Sequence, residues 1–245
     1  MLRLSSEFPG WCEEVEAAVR LLRRKTKSFD IQVEDLTLHI TASDDFAEES
    51  RAQALSFWEQ IQSYALRNPE FRRSKRPLRR VPEDAPAIVR EMVAASRVAG
   101  VGPMFTFRGA VTDQVGRFLA GSLSEVTVSC DGDYFIQTKK RMRLAVRRHG
   151  GEPIAVAVEP VKGGIGVSTT LGRGLHGGGP DGLSVLATSC MLADAAAAGV
   201  QALLPKEDGF KLALRYLQQV PGVRGGVVVV GEEIGVAGGV EIARP

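Results

Sequence analysis

The stretch that decides the fold spans residues 165–200 and reads IGVSTTLGRGLHGGGPDGLSVLATSCMLADAAAAGV. Hydroxyls and glycines come first, a short apolar run follows, and an alanine-rich segment ends it. Glycine lets backbone N–H groups approach an anion closely, and a helix N-terminus beside such a loop adds a favourable potential for phosphate. The stretch matches neither the P-loop nor the dinucleotide-binding glycine pattern. Its composition alone fits a surface loop, whereas the adjoining helix favours a site for a diphosphate.

The alanine-rich segment is predicted to be a helix from about Ser189 to Leu204, ended by Pro205. Asp194 is the one carboxylate in this otherwise apolar run. A lone charge on such a face costs several kcal/mol unless it is paired or holds a ligand. We therefore expect Asp194 to have a partner, while the alanines at 195–198 are explained either by a ligand or by tight packing alone.

Outside residues 165–200, the chain alternates between helical and strand-like patterns. Residues 29–43 alternate apolar and polar positions and predict one or two strands, with His39 on the exposed phase. Helices are predicted over 44–68, over 85–100, from the turn at 101–103 to about Leu119, and over 208–220. Four short strands between 125 and 160 predict an antiparallel meander, and the residues around 182–187 and 226–238 predict further strands.

This pattern predicts an α+β fold rather than a doubly wound parallel sheet. We expect a single domain over 1–245, with an N-terminal extension and strands over about 1–43, a helical half over 44–120 and a strand-rich half over 121–245.

The composition of the chain narrows the classes of protein to which it can belong. The chain has 245 residues, 44% of them hydrophobic and 24% charged, and no apolar run near the roughly 18 residues that a membrane span needs. The three scattered cysteines form neither a CxxC pair nor a disulfide framework, and residues 1–20 show no secretory signal. These features predict a cytoplasmic protein without a membrane partner.

Basic residues cluster in two places. Residues 67–80 carry seven Lys or Arg, and prolines at 69, 77, 82 and 86 predict an extended arm or loop rather than a helix; residues 139–149 carry six more basic residues. The net charge is only +2 and aromatic residues are not interleaved, so nucleic-acid binding ranks last among the hypotheses.

Several segments together resemble the FAD:protein FMN transferase (ApbE-like) superfamily, in its short cytoplasmic branch. They are RNPEF, PEDAPAIVREMVAASRVAGVGPM, VSCDGDYFI, IGVSTTLGRGLH and LADAAAAGV, in the order of the family, from about residue 44 to the C-terminus.

The resemblance implies a T-fold-like architecture of antiparallel sheets layered against helices, with a cleft for FAD. It implies that Asp194 helps to hold Mg²⁺ on the pyrophosphate, although the family's second metal ligand, a threonine, is Ala198 here and offers no oxygen. It implies catalytic roles for His176 and Asp181. The implied cofactor-binding residues are Gly132, Asp133, Ser168, Thr169, Thr170, Gly172, Gly174 and Gly177.

Two classes of function stay open at this point. In the first, the protein binds a flavin or another nucleotide and transfers FMN from FAD to a protein substrate, with His176 as the general base. In the second, it is a non-flavin accessory in sulfide assimilation and homocysteine formation, as relatives in the branch suggest, with Cys130 as the sulfur carrier. In both we expect a homo-oligomer.

Overall fold

The computed structural model describes residues 26–148, 151–171 and 179–243. The predicted sites His176, Gly172, Gly174 and Gly177 lie outside these described residues.

The centre of the molecule is an eight-stranded sheet in which every neighbouring pair is antiparallel. Its strands, in spatial order, are β1 (Lys27–Val33), β2 (Leu36–Ala42), β3 (Val126–Cys130), β4 (Asp133–Thr138), β7 (Val161–Leu171), β8 (Gly182–Ala187), β9 (Val223–Val230) and β10 (Glu233–Gly238). A second sheet contains β5 (Met142–Arg148), β6 (Gly151–Val158) and β11 (Ile242–Ala243), in the order β11-β6-β5.

Six α-helices are present in the described ranges. They are α1 (Ala47–Arg67), α2 (Pro69–Arg73), α3 (Ala87–Ala99), α4 (Phe107–Ala120), α5 (Cys190–Leu203) and α6 (Gly209–Gln219), with a 3₁₀ turn at Pro103–Thr106 before α4. None of the helices in the described segments is both long and apolar enough to cross a membrane.

The helices cover one face of the large sheet, and the small sheet covers the other. Strand alternation sends successive side chains to opposite faces. In β9, Val228 packs with the helices α5 and α6, whereas Val227 and Val229 pack with Val156 of the small sheet. The apolar run of β9 is therefore buried on both sides, and the predicted α+β fold of antiparallel sheets layered against helices is confirmed.

Two sequence expectations about the strands are wrong. The strands between 125 and 160 do not form one meander, because β4 pairs with β7 while β5 and β6 leave for the second sheet. Val146 and Val158 thereby cover Ile165 and Val167, which would otherwise face water. The start of the glycine-rich stretch is also not a loop, since residues up to Leu171 continue β7.

The prediction of an extended basic arm over 67–80 is wrong for part of this segment. Residues Pro69–Arg73 form the short helix α2, because proline is favoured in the first turn of a helix and Phe71 is buried against Tyr64. His39, by contrast, is exposed as expected, and its Nδ1 lies 2.7 Å from Oδ1 of Asp30.

Candidate functional site

A polar cavity of about 400 Å³ lies where α4 and α5 meet the ends of β4 and β7. Its lining is almost entirely polar and comprises Arg108, Asp131, Asp133, Ser168, Thr169, Thr170, Asp194 and Gln201. Five of the predicted site residues, Asp133, Ser168, Thr169, Thr170 and Asp194, are therefore brought together, although they come from distant parts of the chain.

The turn between β3 and β4 forms one wall. Asp131 and Gly132 have φ values of 47° and 95°, as in a type I′ turn, and β-hairpins favour Asp-Gly there. A Cβ on Gly132 would come 2.3 Å from the carbonyl oxygen of Thr169, so only glycine fits. The Gly132 carbonyl accepts hydrogen bonds from the backbone N–H of Thr169 at 2.8 Å and from its hydroxyl at 2.9 Å. Gly132 thus fixes the wall instead of lining the cavity.

Two carboxyl groups share the floor of the cavity. Asp133 is buried in β4 directly opposite Ser168 of β7, and its carboxyl lines the same cavity as that of Asp194, with which it interacts electrostatically. Burial raises the pKa of Asp133 well above its usual range, and the negative charge of Asp194 raises it further. Burial also raises the pKa of Asp194 to about 7, although the Gly109 N–H, the Arg108 charge and the bond from Asp133 oppose it. Without a cation, the two carboxyl groups are therefore expected to keep one proton between them.

The close packing of α4 against α5 positions Asp194. The backbone N–H of Gly109 donates to Oδ2 of Asp194 at 3.2 Å. One turn further along α4, Oδ1 of the buried Asp113 accepts from the N–H of Cys190 at 2.9 Å, at the start of α5. A Cβ on Gly109 would lie 2.7 Å from the Cys190 carbonyl oxygen, so glycine is needed for this approach. The expectation that Asp194 has a partner is confirmed by these contacts.

Arg108 is the positive charge of the cavity, and the sequence analysis missed it. Its Nε lies 3.0 Å from Oδ2 of Asp131, and its side chain remains about half exposed. The charge of Arg108 lowers the pKa of both Asp133 and Asp194. No sequence pattern marks Arg108 among the other arginines, although its place two residues into a helix that follows the turn at 101–103 is a weak signal.

Asp181 is not among the residues that line the cavity. It precedes β8, and its Oδ2 accepts a hydrogen bond from the backbone N–H of Gly231 at 2.7 Å. Its own N–H donates to the Val229 carbonyl at 2.8 Å. These two bonds hold Asp181 against the turn between β9 and β10, so its observed contacts are structural.

The cavity offers oxygen donors that suit a hard cation. Mg²⁺ is bound by one or two carboxylates and keeps several waters, and Asp133 and Asp194 supply two adjacent carboxyl groups beside the hydroxyls of β7. Among the described residues, no group of three or more His, Cys, Asp or Glu side chains is arranged to hold a metal. Ala198 lies one helical turn after Asp194, where it adds no oxygen. The residues present therefore fit Mg²⁺ bound by two carboxylates and neutral oxygens.

The two cysteines of the described chain are buried thiols. Cys130 is 1% exposed, and burial, with the nearby charges of Asp131 and Asp133, raises its pKa to about 12. Burial likewise raises the pKa of Cys190, whose Sγ donates to the carbonyl of Tyr134. Because the thiolate is the nucleophile, neither cysteine is suited to carry sulfur.

Comparison with known proteins places the chain among ApbE-like proteins. A family model described as AbpE bacteria matches residues 19–207. The UPF0280 protein of Methanopyrus kandleri is 28% identical over 223 residues, which cover 86% of this chain and 90% of that protein. A UPF0280 protein of Methanococcus maripaludis is 30% identical, covering 73% of this chain and 76% of its own length.

Solved structures show the same fold at low sequence identity. The flavinyl transferase ApbE of Pseudomonas stutzeri, in its apo form, superposes with a TM-score of 0.58 at 14% identity, covering 87% of this chain and 94% of that one. The ApbE protein of Thermotoga maritima gives a TM-score of 0.51 at 11% identity, covering 89% and 97%. Together with the family model over residues 19–207, these matches confirm the predicted relationship to the ApbE-like superfamily.

Proposed function

The chain belongs to the bacterial AbpE family, within the ApbE-like superfamily, and from this premise we propose that it binds the diphosphate of a flavin dinucleotide in the cavity between α4 and α5. A divalent cation on Asp133 and Asp194 would hold the diphosphate from one side. The guanidinium of Arg108 would contact it from the other.

The observation that carries the proposal is that the carboxyl groups of Asp133 and Asp194 line one cavity together with the half-exposed Arg108. Two adjacent carboxylates cannot both be charged in a buried site without a proton or a cation between them. When Mg²⁺ replaces the proton, the carboxylates become its ligands and the local charge turns towards positive. A site of that charge, lined by hydroxyls, suits an anion such as a diphosphate.

The rest of a dinucleotide would extend beyond the cavity. A volume of about 400 Å³ is near the lower end of ligand pockets, so it suits the metal–diphosphate part of FAD. Thr170 lies in the cavity one residue before the last described residue of β7. The glycine-rich stretch with Gly172, Gly174, Gly177 and His176 comes next in sequence, and a role for it in binding or in proton transfer stays a prediction.

Binding, rather than FMN transfer, is the centre of the proposal because Ala198 provides no hydroxyl. Bound Mg²⁺ would polarise the phosphate and neutralise developing charge. Transfer to a hydroxyl of a protein substrate would further need a general base, the role predicted for His176. The sulfur-accessory hypothesis is not favoured, because Cys130 is buried and its pKa is raised to about 12.

The test is isothermal titration with FAD, ADP and riboflavin, each with Mg²⁺ and with EDTA. We expect FAD and ADP to bind only with Mg²⁺, and riboflavin, which has no phosphate, to bind much more weakly. Asp194→Asn and Arg108→Ala should each weaken FAD binding by about tenfold or more, the loss typical of groups that support a metal or phosphate site.

The matched control is Arg141→Ala. Arg141 is also an exposed, ion-paired arginine, with Glu159 and Glu241, but it does not line the cavity. FAD binding should be unchanged in this variant. Absence of FAD binding at millimolar ligand with Mg²⁺ would overturn the proposal, and so would equal binding in EDTA.

A further inference from the structure

Gln201 lies on the same face of α5 as Asp194. The two residues are seven positions apart, almost two full turns, so their side chains project in nearly the same direction. Both line the cavity. Ala198 lies between them along the helix, packs against an apolar cluster that includes Leu192 and Ala195, and adds no oxygen to the cavity.

The side chain of Gln201 is long enough to reach back along the helix towards Asp194. Helical side chains lean towards the N-terminus, so the amide of Gln201 covers the turn that contains Ala198 and lies towards Asp194. A glutamine can thereby place an oxygen near a position that the alanine leaves without one.

A hydrogen bond across the cavity orients the amide. Nε2 of Gln201 donates to Oγ1 of Thr170 in β7 at 3.4 Å. With its nitrogen engaged in this way, the amide presents Oε1 on the opposite side, and the described residues give Oε1 no hydrogen-bond partner. An amide oxygen that accepts no hydrogen bond and lies in the same cavity as two carboxyl groups can act as a ligand for a hard cation.

We propose that Oε1 of Gln201 is the third protein ligand of the divalent cation, held in place by Thr170. This inference rests on the proposed function, since it assumes that Asp133 and Asp194 bind the same cation. A neutral ligand suits the site because two carboxylates already balance the charge of Mg²⁺. A third carboxylate would repel the diphosphate that the cation has to attract.

The experiment measures Mn²⁺ binding by the full-length protein without nucleotide, from the loss of the electron paramagnetic resonance signal of free Mn²⁺. Gln201→Ala should weaken Mn²⁺ affinity by about tenfold. Gln201→Glu should tighten Mn²⁺ binding, because a charged oxygen replaces a neutral one, and should weaken Mn²⁺-dependent ADP binding. Gln218→Ala, a change of an exposed glutamine on α6, is the control and should leave both affinities unchanged.

A further variant separates ligation from packing. In the Gln201→Ala background, Ala198→Thr adds a hydroxyl one turn after Asp194 and should restore most of the Mn²⁺ affinity. Thermal unfolding of every variant checks that the fold is intact.

The outcomes distinguish the two proposals. If wild-type protein binds Mn²⁺ and Asp194→Asn abolishes binding, while Gln201→Ala binds like wild type, the role of Gln201 is overturned and the proposed function stands. If wild-type protein does not bind Mn²⁺, both fail.

Discussion

Replacing Asp194 by asparagine should stabilise the cation-free protein at alkaline pH. Folding places this carboxyl beside Asp133 in a buried site, where burial raises its pKa from an ordinary 3.8 to about 7. A folded-state pKa above the unfolded value means that the folded chain binds the proton more tightly. The resulting stability is fully present below pH 3.8 and is lost as the pH rises through about 7.

The size of the effect follows from the two pKa values. Each pH unit between 3.8 and about 7 corresponds to about 1.4 kcal/mol, so the full difference is about 4 kcal/mol. Because the carboxyl of Asp133 can also hold a proton and Arg108 remains nearby, we expect asparagine to recover about half, or about 2 kcal/mol, at pH 8. For a chain of this length that is a rise in Tm of about 4–8 °C.

The assay is differential scanning calorimetry of wild type and Asp194→Asn in EDTA between pH 5 and pH 8. The gain in Tm should grow as the pH rises towards 8 and should be small at pH 5. Added Mg²⁺ should then raise the Tm of wild type but not that of the variant, since binding to the folded state stabilises it. Asp84→Asn, at an exposed position, is the control and should show no such trend. If Asp194→Asn is no more stable than wild type at pH 8, the reasoning about two adjacent carboxyl groups in a desolvated site is refuted.

Two further predictions concern packing and thiol chemistry. Gly109→Ala should destabilise the fold by about 1–3 kcal/mol and weaken Mn²⁺ binding, because its Cβ would meet the Cys190 carbonyl at 2.7 Å and push α4 from α5. Gly239→Ala, for which the nearest atom to the added Cβ is 3.8 Å away, is the control and should have almost no effect on stability in chemical denaturation. Equal losses of stability in both variants would contradict this account. In native protein at pH 7.5, Cys130 and Cys190 should resist N-ethylmaleimide for hours and react only after unfolding. Peptide mass mapping follows the labelling of each cysteine. Rapid labelling of Cys130 in the native protein would reopen the sulfur-carrier hypothesis.

The local elements could be predicted from the sequence because their signals are local. The 3.6-residue period and the alanine-rich run predict α5, and its observed bounds Cys190–Leu203 agree closely with the expected helix. The Asp-Gly pair predicts the turn between β3 and β4, where both residues have positive φ. Asp194 also stood out, because a single charge in an apolar helix needs a partner.

The pairing of strands could not be predicted in this way. Alternation along β5 and β6 shows that each has an apolar face, but it does not say which surface that face will cover. The large sheet needed a cover over Ile165 and Val167, and β5 and β6 supplied it by leaving the meander. That choice depends on the whole apolar surface of the sheet.

The sequence by itself indicated the helices, the local strands and turns and the superfamily, and it marked Asp194 as a charge that needs a partner, since these signals lie in short stretches of the chain. Only the tertiary structure decided that Asp133 and Asp194 line one cavity, that Arg108 lines it with them and that Asp181 lies elsewhere. The reason is that electrostatic coupling depends on distance in space. Packing of α4 and α5 against the sheet brings together residues 108, 133, 194 and 201, which no sequence spacing connects.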